Sequence, residues 1–247
     1  MSILKVKLEN GILAENFKFG MQRIMPLPVR YGSNYDAIED REFFAYLTTL
    51  GGGLVNGDEV SQSFEFKNTK GAIRSQSNQK VYKGNSKLKT KLSVDNSSVL
   101  VFHNDANIFY PNSNFYSQTK LLANKNAKFF YMDGGYIGYA NGEFSANMNF
   151  RLYVDGKITL NDTFFYNYNR SHLNSLLNHE YFYTIFIREE LNLPNIQTEK
   201  LKAHTSIMGE NIIVRVASDD NDIAIGYIER IKKEFLQKNK MTLISAS

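Results

Sequence analysis

The chain has no cysteine and no tryptophan, and only four histidines among its 247 residues. Without cysteine there is no disulfide scaffold, no thiolate metal site and no cysteine nucleophile. The histidines are His103, His172, His179 and His204. None forms a His-x-His pair, and none forms a helical i, i+4 pair around a carboxylate. His172 and His179 stand seven apart, the spacing of two helical turns. The set predicts structural or surface roles, with no high-affinity zinc or nickel site. Long apolar runs are missing too. The longest, such as Tyr181 to Ile187, fall far short of the roughly 20 residues of a membrane-spanning helix. The start, Met1 to Lys7, is charged within five residues and lacks an apolar core of signal-peptide length. A soluble, cytoplasmic protein with no membrane partner is expected.

Nucleotide chemistry lacks its parts. Gly52-Gly53-Leu54-Val55-Asn56-Gly57 and Gly134-Gly135-Tyr136-Ile137-Gly138 are glycine-rich, but neither ends in the Gly-Lys-Ser/Thr that opens a helix in a phosphate loop. The first runs into Asp58, which would repel phosphate, and then into a strand. The alternation of strands and helices that builds a dinucleotide fold is absent. No nucleophile elbow supports a Ser/His/Asp triad.

What the chain has is aromatic and turn-forming. There are 15 Tyr and 18 Phe, with 43% hydrophobic and 22% charged residues. That composition is globular and favours strands and tight turns. Apolar residues alternate in Ser2 to Leu8 and Val60 to Phe66. Asn10-Gly11 predicts a type I′ hairpin. In a second hairpin Met148, Phe150, Leu152 and Val154 form the buried face, Asp155-Gly156 the turn, and Ile158 and Leu160 the buried return. Short strands at about ten-residue spacing argue for an all-β architecture. Helix signals are confined to the last third. Asn169 to Leu177 fits a helical turn or loop, and Arg188 to Leu201 a loop leading to a short helix. Ser218-Asp219-Asp220 opens the strongest helix, about 219–238, with Ser218 or Asp219 as cap. Ile223, Tyr227, Ile231 and Phe235 form its apolar stripe. No repeat or linker divides the sequence, so residues 1–247 are taken as one domain.

Net charge is +4. The densest basic cluster is Lys80, Lys83, Lys87, Lys89 and Lys91. Its period of two from Lys87 marks a solvated strand face, a common defence of exposed strands, rather than a nucleic-acid footprint. Asp58, Asp105, Asp133 and Glu143 sit beside glycines or turns. Two such acids could serve a glycosidase on a β scaffold, so a β-rich carbohydrate-active enzyme or binding module is the alternative reading. Most acids in that position are turn residues.

Two stretches, in order, carry a resemblance. Gly52-Gly53-Leu54-Val55-Asn56-Gly57-Asp58 is followed by Ser75-Gln76-Ser77-Asn78-Gln79-Lys80-Val81-Tyr82-Lys83. They resemble the Gly-Gly-(Leu/Val)-Val-x-Gly-Asp segment and the Thr/Ser-rich stretch ending Lys-x-Tyr-(Arg/Lys) of the urease accessory protein D family (UreD/UreH). Pro26-Leu27, Asn141-Gly142-Glu143-Phe144 and Ile213-Val214-Arg215-Val216 resemble its further segments, so the likeness runs from about residue 24 to 236. The resemblance implies a mainly β fold of stacked or helically coiled sheets with about two helices. It implies a non-enzymatic scaffold that binds the urease apoprotein and accessory protein F, which recruits the GTPase accessory protein G. It also implies nickel delivery along an internal polar path. On this expectation Gly52, Gly53, Gly57, Asp58, Lys80 and Tyr82 form the motif, and Asp58, Ser75, Gln76, Asp133 and Glu143 line the path. No cofactor is held tightly; nickel is transient cargo. Oxygen donors suit that role, because a conducting site must release what it binds.

Overall fold

The structure, a computed structural model, describes residues 1–27, 42–168 and 179–241. The chain opens with β1 (Ser2–Glu9), β2 (Ile12–Phe19), β3 (Gln22–Leu27), β4 (Glu42–Thr49), β5 (Glu59–Lys67) and β6 (Lys70–Ser75). It continues through β7 (Lys80–Val81), β8 (Gly84–Val94), β9 (Val99–His103), β10 (Asn107–Phe109), β11 (Ser113–Ala123) and β12 (Lys128–Tyr136). The last part holds β13 (Phe144–Val154), β14 (Lys157–Asn167), β15 (Tyr181–Arg188), β16 (Ile196–Gln197), β17 (Lys202–Met208), β18 (Asn211–Ser218) and a helix, α1 (Asn221–Lys238).

The strands form two sheets. The first has seven strands in the order β14-β13-β11-β8-β5-β1-β2. The second has eleven, with β16-β17-β18-β15-β12-β9-β6-β4-β3 as its path, β10 beside β12 and β7 beside β10. From β4 to β13 the long strands alternate between sheets. Successive strands within each sheet are parallel: β5, β8, β11 and β13 in the first, and β4, β6, β9 and β12 in the second. A parallel pair needs a long crossover, and here the crossover is a strand of the opposite sheet. Lys70 lies opposite Val99 and Val99 opposite Lys128, steps of 29 residues per coil. The expected coiled sheets are therefore present, as a structural period with no repeat of residues behind it.

Alternation gives the coil its core. Inward side chains such as Phe64, Leu92, Phe102, Leu121 and Phe129 fill the space between the sheets. A second cluster between them holds Leu54, Val81, Phe109, Phe115, Phe144 and Phe182. The outer face of the second sheet is covered by α1 through Ala224, Tyr227, Ile228, Ile231 and Phe235. The helical stripe thus packs as its period predicts. Lys87, Lys89 and Lys91 are exposed, as a solvated face requires. However, β8 is an interior strand, so they guard no edge.

Several local expectations need correction. The cap of α1 is Asp220, whose carboxylate accepts from the amides of Asp222 and Ile223 at 2.9 and 3.3 Å. Ser218 is engaged elsewhere, donating to the Lys200 carbonyl, and Asp219 pairs with His179 and the Glu180 amide. The short helix expected near Leu201 is absent. Pro194 favours extended chain before it, and Ile196 and Gln197 pair with β17 as strand. One α-helix is therefore present among the described residues, against about two expected. The helical turn proposed for Asn169 to Leu177, with His172, lies outside the described residues. The second hairpin turns at Asp155 and Gly156 with φ of 47° and 78°, but Ile158 is exposed. A register shift opposite Leu152 and Tyr153 sets Ile158 against Tyr153 and Leu160 against Leu152. The bulge sends the two residues to opposite faces.

Candidate functional site

The inner faces of both sheets carry a polar row through otherwise apolar packing. On the first sheet Gln62, Thr90 and Thr119 stand in register on three strands, and the row continues past the apolar Phe150 to Asp162 on the edge strand. On the second, Asp133, Thr184, Arg215 and His204 stand in register across four. Two contacts bridge the sheets along these rows, one buried and one exposed. Thr119 Oγ1 lies 2.8 Å from the Tyr131 hydroxyl, and Arg215 Nη2 lies 2.6 Å from Asp162 Oδ1. The rows form a polar seam between the two apolar clusters.

Two cavities follow the seam. The larger, about 190 Å³, is lined among others by Thr49, Gly51, Gly52, Gly53, Gln62, Ser75, Asp105, Asn107 and Asp133. The smaller, about 30 Å³, is lined by Thr119, Tyr131, Asn149, Asp162 and Thr184, and again by Asp133. Both have room for water by volume. Gln62 Oε1 and Ser86 Oγ are buried with no protein hydrogen-bond partner among the described residues. An unsatisfied buried polar atom costs about 1–3 kcal/mol, so an interior that keeps such atoms is suited to solvent or a polar guest.

Asp133 is the junction. Its Oδ1 accepts from Asn107 Nδ2 at 3.1 Å and from the Gly134 amide at 2.9 Å. Its Oδ2 accepts from the Tyr131 hydroxyl at 3.2 Å. Tyr131 uses its only proton there, so Thr119 donates to Tyr131. The residue is partly buried, and it lines both cavities. Burial pushes its pKa up to about 6 against the pull of those three donors. Near neutral pH it is a carboxylate that protonates readily.

The opening motif frames the larger cavity. Gly53 adopts φ of 137°, and a Cβ there would meet the Lys80 carbonyl at 2.5 Å. That approach lets the Leu54 amide donate to the Lys80 carbonyl and the Tyr82 amide to the Leu54 carbonyl. Tyr82 then packs on Tyr110 with centroids 4.8 Å apart. The glycine segment and the Lys80–Tyr82 segment are thus one bridged unit. Gly52, Gly53 and Lys80 line the mouth.

The residues expected on the path are not all brought together. Ser75 and Asp133 line the larger cavity. Asp58 lines neither cavity; its carboxylate accepts from the Val55 amide at 2.9 Å and closes a turn, with Gly57 beside it at φ of 88°. Gln76 and Glu143 are exposed and line neither cavity. The sequence reading missed Gln62, Asn107, Thr119, Tyr131 and Asp162. Their signal was present: in Val60, Gln62, Phe64, Phe66 a polar residue occupies the inward phase of an alternating strand, and Asp162 does the same between Leu160 and Phe164.

At the wall of the larger cavity Asp105 joins a partly buried polar network. His103 Nε2 is 3.2 Å from Asp105 Oδ1, Arg74 is 3.7 Å from the same oxygen, and the Asp105 amide donates to Ser75 Oγ. Burial lowers the His103 pKa most strongly, which keeps the ring neutral. Burial opposes the charge of Asp105, but His103, Arg74 and Ser75 outweigh it and hold its pKa below the usual carboxylate value. His179 is also buried, against Asp219, whereas His204 is exposed.

Among the described residues no group of three or more His, Asp or Glu side chains is placed to hold a metal ion. No helix among them is long and apolar enough to cross a membrane. A comparison with curated proteins finds no match. Residues 25–241, most of the chain and all of the seam, match the family model of the UreD urease accessory protein. The match spans well over half of the sequence, and the chain belongs to the UreD urease accessory protein family.

Proposed function

We propose that this protein is a cytoplasmic, non-enzymatic maturation factor that binds urease apoprotein and helps deliver nickel to its active site. Its partners on this reading are the apoprotein, accessory protein F and, through F, the GTPase accessory protein G. One observation carries the proposal: two cavities share one lining residue, the partly buried carboxylate Asp133, within an in-register polar seam. A nickel ion would enter past Gly52, Gly53 and Ser75, pass Asp105 and Asp133, and move toward Asp162. Asp58, Gln76 and Glu143 stand off this route.

The donor set favours passage over storage. Hydroxyl, amide and carboxylate oxygens bind nickel less tightly than thiolate or clustered imidazole, so the ion keeps much of its hydration and leaves. Exposed apolar side chains on the outer strands of the first sheet, Phe17 and Phe19 on β2 and Phe165 on β14, would serve as aromatic anchors for partners. Co-expression of urease and its accessory proteins with and without this chain tests the role. Urease lacking nickel and activity without it is the expected result; full nickel content without it would refute the reading.

A further inference from the structure

Arg215 occupies a place that a cation path should leave free. It stands in the in-register row between Thr184 and His204. Its guanidinium makes a forked contact with Asp162, 2.6 Å from Nη2 to Oδ1 and 3.5 Å from Nη1 to Oδ2. Asp162 is largely enclosed, its side chain 18% exposed, while that of Arg215 is 52% exposed. On one side lies the smaller cavity with Asp133, Asp162 and Thr184. On the other lies an open hollow of about 440 Å³ lined by Thr184, Arg215 and His204.

We propose that Asp162 is a divalent-cation transfer site at the outer end of the seam, and that Arg215 is its removable plug. The proposal deepens the nickel-path reading and rests on it for its biological meaning, though not for its test. A guanidinium paired with Asp162 takes the electrostatic place of the cation and presents positive charge to any ion arriving from Asp133. Arg215 can leave without unfolding the sheet, because its side chain is half in solvent and its backbone is held by β15 and β17. An acidic group on a docking partner would draw it outward. Asp162 and Thr184 would then offer oxygens to the ion. The His204 imidazole, a good nickel ligand, stands one strand beyond Arg215 in the same row.

The test is nickel binding by the purified full chain, measured by equilibrium dialysis against a nickel(II) salt. Arg215→Gln should bind one additional ion, or bind nickel on the order of tenfold more tightly than the native chain. Arg215→Lys should bind as the native chain does. The gain should vanish in the double variant Arg215→Gln/Asp162→Asn. No gain in Arg215→Gln would overturn the plug, as would a gain that survives in the double variant. Circular dichroism on each variant confirms folding, and Arg215→Met repeats the comparison should the Gln variant fail to fold. The two readings fail separately. A nickel gain in Arg215→Gln with urease activation indifferent to Asp133→Asn keeps the site and sinks the path. The reverse pattern keeps the path and sinks the plug.

Discussion

Asp133 interrupts the apolar run Phe129-Phe130-Tyr131-Met132, and its inward placement sets its chemistry. Its pKa of about 6 in the folded chain exceeds the ordinary 3.8 because burial disfavours the charge. The folded state therefore binds this proton more tightly than the unfolded state. The contribution to stability is fully present below about pH 4 and is lost as pH rises through about 6. Asp133→Asn cannot titrate. Its denaturation midpoint should gain on the native chain between pH 4 and pH 7 and level off above; a constant gap across that range would contradict the assignment. Asp58 serves the backbone instead. Its carboxylate closes an exposed turn, so Asp58→Ala should cost about 1 kcal/mol in a thermal melt and leave urease activation unchanged. Both acids stand out in the sequence, beside glycines. Which one faces the interior depends on strand phase and register, which a glycine neighbour does not reveal.

Elements whose signals are local were legible. The Asn10-Gly11 and Asp155-Gly156 hairpins form where their positive-φ residues place them. The helix α1 forms over its apolar stripe, with Asp220 taking the cap because Ser218 and Asp219 bond elsewhere. Asp220→Ala should therefore lower stability by about 1 kcal/mol, whereas Ser218→Ala would act through Lys200. The polar rows were less legible. Gln62, Thr90 and Thr119 each break the inward phase of their own strand, but their alignment requires residues some 28 or 29 positions apart to be in register. The Gln62–Thr90 hydrogen bond of 2.8 Å is buried, and Gln62 Oε1 has no protein partner. Replacing both by Leu and Val removes the unsatisfied group and its partner together, a change that is nearly neutral or stabilising in apolar surroundings. Gln62→Leu/Thr90→Val should melt no lower than the native chain yet deliver less nickel to urease. A lower melting temperature would mean that the row serves the fold.

On the scale of the molecule, the chain is a coil of two sheets with apolar layers above and below a polar one. A protein built only for stability would close that layer with hydrocarbon, since buried polar groups return little net energy. Coiling also explains why no repeat was visible. Each turn needs inward alternation at matching positions, not matching residues, so 29-residue steps can be filled by Phe, Leu, Val or Tyr interchangeably. The fold class followed from strand spacing and the family resemblance, whereas the parallel pairing and the seam are properties of the whole coil. The outer strands β2 and β14 carry Phe17, Phe19 and Phe165 in the open. Phe17→Ser with Phe19→Ser should weaken co-purification with a partner without lowering the melting temperature, since neither ring is in the core.

The central claim is that nickel crosses this protein at Asp133. Its most direct test is the nickel content per active site of urease matured by co-expression with the Asp133→Asn protein and the other accessory proteins. Co-purification should verify that the complex assembles as with the native chain. The account predicts a fall in nickel content of at least about tenfold. Native nickel content in an assembled complex carrying Asp133→Asn would contradict it.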